Sequence, residues 1–179
     1  MEKLAPNLGF KLMSLTFRIR DIFSPRIHVL REAGIQNGYH VLDYGCGPGA
    51  YIAPLAKLVG SKGMIHALDV HPLAIQKVER IASRLKLANV ATIKSDCITG
   101  LADSTIDLVL LYDTFHDLKE PEKVLEELHR ILIPDGTLSF SDHHMKDADI
   151  VSQVTAGGLF SLSSRGSKTY TFKAKITGC

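Results

Sequence analysis

Apolar positions follow two alternating rhythms along most of the chain. Short, nearly continuous apolar runs at residues 39–43, 64–69, 90–95, 106–112 and 137–141 have the length of strands. The run at 106–112 is almost wholly apolar, as a strand covered on both faces of a parallel sheet requires. Between the runs lie stretches with helical spacing, at 50–59, 72–86 and 119–132. In the second of these Leu73, Ile75, Val78, Ile81, Ala82 and Leu85 supply the buried stripe, and Pro72 stands where a first helical turn tolerates it. Such strand–helix alternation predicts a parallel α/β sheet with right-handed crossovers.

The rhythm changes near the end. After a helix expected at 148–156, two short strands at 159–163 and 169–174 flank Arg165-Gly166-Ser167, the pattern of a hairpin. At the other end, Leu8, Leu12, Leu15, Ile19 and Ile22 recur at helical spacing, with Lys11, Arg18 and Arg20 mostly off that face. Residues 8–23 read as an amphipathic helix that packs on the domain or lids its site, with peripheral membrane contact as the alternative. A second helix at 26–33 follows Pro25 and ends at Gly34 and the Gln36-Asn37-Gly38 turn. The expected organisation is a pair of N-terminal helices over 1–38, a candidate lid, and a main unit over 39–179, compact as one domain.

Composition narrows the class only slightly. In 179 residues, 45% apolar and 22% charged content is ordinary for a globular domain, and no apolar run is long enough to cross a bilayer. The first residues lack the basic-then-apolar layout of a signal peptide, so the cytoplasm is the default expectation. Cys46, Cys97 and Cys179 have no metal-like CxxC spacing and suggest no disulfide framework. A net charge of +2 with scattered Lys and Arg gives no footprint for nucleic acid.

The chemistry is concentrated at the strand ends, where open α/β sheets bind ligands. Residues 43–49 read Asp43-Tyr44-Gly45-Cys46-Gly47-Pro48-Gly49. The later strands end in Asp69-Val70-His71, Ser95-Asp96-Cys97, Tyr112-Asp113-Thr114-Phe115-His116 and Asp142-His143-His144. Carboxylates converge on one edge with no lysine or arginine in those segments. Such an edge suits a ligand bearing positive charge and hydroxyls and is poor for a pyrophosphate. The loop spacing is GxGxG with an acid two residues ahead, whereas a dinucleotide fingerprint is GxGxxG.

From Tyr39 to about His144 the chain resembles the class I S-adenosylmethionine-dependent methyltransferases, and within them the small-molecule, quinone-biosynthesis-like (type 11) branch. VLDYGCGPG is similar to the family's first motif, and residues 130–138 to its turn into strand five. The resemblance implies a Rossmann-like doubly wound fold, a seven-stranded mainly parallel sheet ending in the antiparallel hairpin, with S-adenosyl-L-methionine as cofactor. It assigns Asp43, Tyr44, Gly45, Cys46, Gly47 and Gly49 to the loop around the cofactor's methionine part. Asp69 and Val70 fall at the ribose, Ser95, Asp96 and Cys97 at the adenine, and Tyr112 at the sulfonium or the acceptor. Each position also has a plainer role: a tight turn for the glycines, a helix cap for Asp69, a turn residue for Asp96, packing for the cysteines and tyrosines.

Methyl transfer asks mainly for placement, with a general base where the acceptor holds its proton. The candidates are His116, taken first, with Asp113 and His143 and also His144. A magnesium cluster of Asp113, Asp142 and His143, of the sort found in catechol-type relatives, is disfavoured because histidine is a poor magnesium ligand. The expected function is methyl transfer to a small-molecule acceptor. The alternatives are a macromolecular acceptor, a cofactor-binding module without turnover, and a nicotinamide oxidoreductase. Tyr112-Asp113-Thr114-Phe115 lacks the Asp/Asn-Pro-Pro-aromatic pattern of amino-methylating nucleic-acid enzymes, and the loop spacing counts against nicotinamide. Because little sequence separates strand five from the hairpin, the site is expected to be open, suiting a bulky acceptor or closure by a second subunit in a homodimer.

Overall fold

A computed structural model describes residues 26–176 of the chain. The helix expected at 8–23, with its lid or membrane role, lies outside the described residues. The described elements are α1 (Arg26–Glu32), β1 (His40–Tyr44), α2 (Ile52–Val59), β2 (Met64–Asp69), α3 (Pro72–Leu85), β3 (Val90–Lys94) and β4 (Ile106–Tyr112). A 3-10 turn (Phe115–Asp117), α4 (Pro121–Ile131), β5 (Leu132–Ser141), α5 (Asp147–Thr155), β6 (Phe160–Arg165) and β7 (Tyr170–Ala174) complete them. The strands form one seven-stranded sheet in the order β3-β2-β1-β4-β5-β7-β6. The first five are parallel, and β7 runs antiparallel between β5 and β6.

Strand periodicity decides which side chain joins which layer, because successive side chains point to opposite faces. On β1 and β4, Val41, Leu108, Leu110 and Tyr112 face α1, α2 and α3, packing with Leu30, Ile52, Leu55 and Val78. Their neighbours Leu42, Val109 and Leu111 face α4 and α5, with Leu128, Ile150, Phe140 and Phe172. Each such side chain contributes about 1.5–3 kcal/mol by leaving water. A sheet covered on both faces is the consequence, and it explains why β4 reads as an unbroken apolar run.

Strand order reverses between β1 and β4, so the loops leaving those two strands diverge and open a crevice above the sheet. The Pro134-Asp135-Gly136 segment, expected as a turn before strand five, lies inside the β5 span. Ile106 pairs with Leu132 and Leu108 with Thr137, so the pairing shifts register there.

One polar network ties α4 to the 97–105 loop behind β3. Arg130 grips Glu127 through Nε and Nη2, at 2.8 Å each, and also bonds Asp103 and the Leu101 carbonyl. Thr99 donates to Glu127 from its backbone N–H (2.8 Å) and its hydroxyl (2.6 Å). Burial pushes the Glu127 carboxyl up, but the bonds from Arg130 and Thr99 outweigh it and bring its pKa from 4.5 to about 2. A carboxyl depressed on folding stabilises fully above its unfolded value and loses that contribution as pH falls. Glu127→Gln is therefore expected to cost about 1–3 kcal/mol at pH 7. That cost should shrink between pH 4.5 and about 2, as read by urea denaturation of both proteins across the range.

Candidate active site

The glycine loop leaves β1 at the crevice and is pinned at once to the neighbouring strand. Gly45 and Cys46 both donate their backbone N–H groups to the Leu68 carbonyl, at 2.9 Å each. Gly47 N–H donates to Asp69 Oδ2 at 2.8 Å, and His71 N–H donates to Asp69 Oδ1 at 2.7 Å. The Asp69 carboxylate thus bridges the loop to the start of α3. Burial pushes its pKa up, against the lowering effect of these bonds. Asp69 is not the α3 cap: His71 takes that role, its Nδ1 accepting from Leu73 N–H at 3.1 Å.

Three glycines matter for separate reasons. Gly45 (φ +75°) packs on Thr114 just beyond β4, with no room for a Cβ. Gly47 (φ +50°) would send a Cβ into open space, which leaves the backbone above Asp69 bare for close approach by a ligand. Gly49 meets Val78 and Ile81 and so sets how tightly loop and α3 pack.

Asp43 is buried at the end of β1. Burial pushes the Cys46 thiol strongly up, and the charges of Asp43 and Asp69 push it further, which leaves the sulfur a packing group. Tyr44 turns to the opposite face and its hydroxyl donates to the Asp96 carbonyl at 2.9 Å, fixing the β3 loop to β1. The Asp96 residue itself is exposed, Ser95 Oγ accepts from Cys97 N–H at 3.3 Å, and Val70 is half-buried beside Asp69. Burial also raises the Cys97 thiol. Tyr112 is buried, its hydroxyl 2.7 Å from Ser139 Oγ and its ring edge-on to Tyr51 at 5.4 Å.

The loops after β4 and β5 are cross-linked by two reciprocal pairs. His143 Nδ1 lies 2.6 Å from Asp113 Oδ1, and His116 Nδ1 lies 2.8 Å from Asp142 Oδ2. His144 stacks between them, its ring 3.9 Å from that of His143 and 4.3 Å from that of His116. Asp113 and Asp142 each serve a different histidine, and among the described residues no group of three forms a metal cluster.

A cavity of about 330 Å³ adjoins this edge, lined by Tyr51, Tyr112, Asp113 and His143 and flanked by α5 and the 165–169 hairpin turn. It is partly open to solvent, in keeping with the open site expected from the sequence, with the short α5 and the hairpin turn forming one side. Val29 of α1 lines the same cavity, and Glu32 fastens α1 to the turn. Ser167 Oγ, Lys168 N–H (3.1 Å) and Thr169 Oγ1 (2.9 Å) all donate to the Glu32 carboxylate. The Ser167 bond leads in lowering its pKa. The sequence carries no local signal for this clasp, because its partners are 135 to 137 residues apart.

Residues 35–170 match the family model described as "Methyltransferase domain". The chain belongs to the methyltransferase-domain family. Among solved structures, a SAM dependent methyltransferase from Aquifex aeolicus superposes with a TM-score of 0.74 and 28% identity, over 88% of this chain and 96% of that one. Among curated proteins, aklanonic acid methyltransferase DauC of Streptomyces sp. (strain C5) is 38% identical over 74 residues, 41% of this chain and 34% of that protein. Ubiquinone/menaquinone biosynthesis C-methyltransferase UbiE of Hydrogenovibrio crunogenus is 30% identical over 139 residues, 76% of this chain and 54% of that protein. The match spans about half the length of such relatives. The class I methyltransferase resemblance and the doubly wound Rossmann-like sheet expected from the sequence both stand. No described helix is long and apolar enough to cross a membrane.

The Gly45 and Gly47 positions predict separable effects. Gly45→Ala should lower stability by about 2–3 kcal/mol, since it adds a collision with Thr114 to the strain of a positive φ. Gly47→Ala should cost only about 1–2 kcal/mol, the strain alone. Urea denaturation of the two variants beside the parent protein checks the order.

Proposed function

We propose that the chain is an S-adenosylmethionine-dependent methyltransferase acting on a small molecule held in the cavity beyond β4 and β5. The observation that carries this reading is the Asp69 carboxylate, fixed by Gly47 N–H and His71 N–H beneath a bare glycine backbone at the carboxyl end of the parallel strands. The residues present fit the cofactor. Asp69 accepts from the backbone N–H groups of Gly47, His71 and Val70, and a carboxylate with about four acceptor sites retains capacity for a ribose hydroxyl. The bare backbone at Gly47 admits a close-lying ligand, and acids without intervening cations suit a sulfonium.

When bound, S-adenosylmethionine supplies a methyl group already activated on sulfur. The chain then has to place it. In this reading Asp43 and the loop of Gly45, Cys46, Gly47 and Gly49 hold the methionine end. Asp69 and Val70 hold the ribose, and Ser95, Asp96 and Cys97 meet the adenine. Tyr44 serves this set at one remove, by anchoring the Asp96 backbone. Tyr112 and Tyr51 form the wall between donor and acceptor. Because Gly45 packs on Thr114, the loop and the Tyr112–Asp113 strand end are held side by side. The names of the quinone- and polyketide-type relatives support a small cyclic acceptor.

Titration calorimetry with S-adenosylhomocysteine tests the reading. The parent protein should bind it, and Asp69→Ala should weaken binding about 100-fold, about 2.7 kcal/mol. Gly47→Ala should also weaken binding while the protein stays folded by circular dichroism. A folded parent protein that gives no heat with S-adenosylhomocysteine would remove the basis for the proposal.

A further inference from the structure

We infer that His143, oriented by Asp113, is the general base for an acceptor whose hydroxyl must lose its proton, a phenol or enol, and that the His116–Asp142 pair only positions it. The inference rests on the methyl-transfer reading above. His116, taken first on sequence grounds, gives way to His143 for geometric reasons. Only His143 among the three stacked histidines lines the cavity, together with Asp113. The His116 ring bonds Asp142 through Nδ1 and has its Nε2 3.4 Å from Asp117 Oδ2.

The Asp113–His143 arrangement also fixes the useful tautomer. The His143 backbone N–H (3.2 Å) and Nδ1 (2.6 Å) both meet Asp113 Oδ1. An ionised carboxylate only accepts, so Nδ1 carries the proton, and the neutral ring presents an Nε2 lone pair. Among the described residues that nitrogen has no hydrogen-bond partner. Asp113 reaches this position with φ +51°, a left-handed conformation that is strained for a non-glycine residue. The strain sits where the carboxylate turns toward the β5 loop. Asp142 holds the opposite side of the same loop, accepting from His116 N–H and His144 N–H at 3.1 Å each.

The other ionisable groups around His143 come from each neighbouring element. Tyr112 lies on β4, Asp142 and the stacked His144 on its own loop, Asp147 on α5, and Arg165, Lys168 and Tyr170 on the hairpin. Arg165 is paired with Asp147 and sits over the Tyr170 ring, so that end of the cavity is close to charge-balanced. Tyr51, Tyr112 and Tyr170 with Val29 and Ile150 offer ring-sized apolar surface, and Ser141 and the paired charges offer hydrogen bonds, which suits a hydroxylated ring system of one or two rings in about 330 Å³. A base is needed because a phenol holds its proton up to a pKa of about 10, whereas histidine titrates near neutrality. His143 Nε2 takes the hydroxyl proton and an oxygen lone pair forms the new O–CH3 bond. The S–CH3 bond breaks with its electron pair passing to sulfur, and the imidazolium later returns its proton to water.

Two measurements test the assignment. In the protein without ligands, nitrogen-15 spectra of labelled histidine should show His143, assigned by its loss in His143→Gln, with the proton on Nδ1. Asp113→Asn should mix the tautomers. A parent His143 with its proton on Nε2 overturns the inference. In methyl transfer from labelled cofactor to panels of phenols and amines, phenols should accept. His143→Gln should lower kcat about 10²–10⁴-fold and remove the acidic limb of the kcat/KM profile, with S-adenosylhomocysteine binding retained. Asp113→Glu should recover part of what Asp113→Ala loses. An unchanged pH profile in His143→Gln, or turnover of amines alone, contradicts it. Failure of the parent protein to bind S-adenosylhomocysteine counts instead against the methyl-transfer reading, and the tautomer measurement is independent of that result.

Discussion

The Asp69 carboxylate is the constraint on which the candidate site depends. By accepting from Gly47 N–H and His71 N–H it fixes the glycine loop against β2 and sets the start of α3. Backbone amides of a loop at positive φ have no helix or strand partner, and an unpaired one in a partly buried site costs about 1–3 kcal/mol. Asp69 satisfies one such amide with Oδ2 while Oδ1 accepts from the start of α3. In the proposed reading a structural bond and the ribose contact thus fall on the same two oxygens. The raised pKa of the group shows what this costs, since burial works against the charge that both roles use.

The edge beyond β4 and β5 is built by a different principle. Loops from β4 and β5 are too short to enclose a cavity alone, and each is stiffened by exchanging a histidine for the other's aspartate. The outer wall comes from far along the chain, where α1 and the β6–β7 turn meet through Glu32. Helix α1 packs on the sheet through Leu30 and is tied to the hairpin turn by one carboxylate that accepts from three donors, so the outer wall of the cavity depends on the geometry of that clasp.

Elements set by local periodicity were legible from the sequence alone. The bounds of β2 and β4 are as the apolar runs predict, because each run is mostly apolar and is set off by polar or glycine-rich residues on either side. The edge strands and β5 were less sharp. Strand β5 starts at Leu132, earlier than expected, because its first residues pair with β4 before the register shifts. The acids and the glycine loop were readable because their spacing reflects one βαβ unit. The choice between His116 and His143 was not, since it depends on how two loops cross above the sheet, which no spacing records. Glu32 was invisible for the same reason, its partners being set by tertiary packing alone. Tyr44 shows a third limit: strand parity turns its side chain to the far face, where it supports Asp96 through the backbone.

The central claim is that the loop and Asp69 together form the cofactor seat and that the sulfur faces the His143 cavity. A crystal structure of the full chain with S-adenosylhomocysteine tests this most directly. The account predicts a ribose hydroxyl within hydrogen-bond reach of the Asp69 carboxylate and the sulfur directed between Tyr51 and Tyr112 toward His143. A ligand bound away from Asp69, or a sulfur directed away from that cavity, would contradict it.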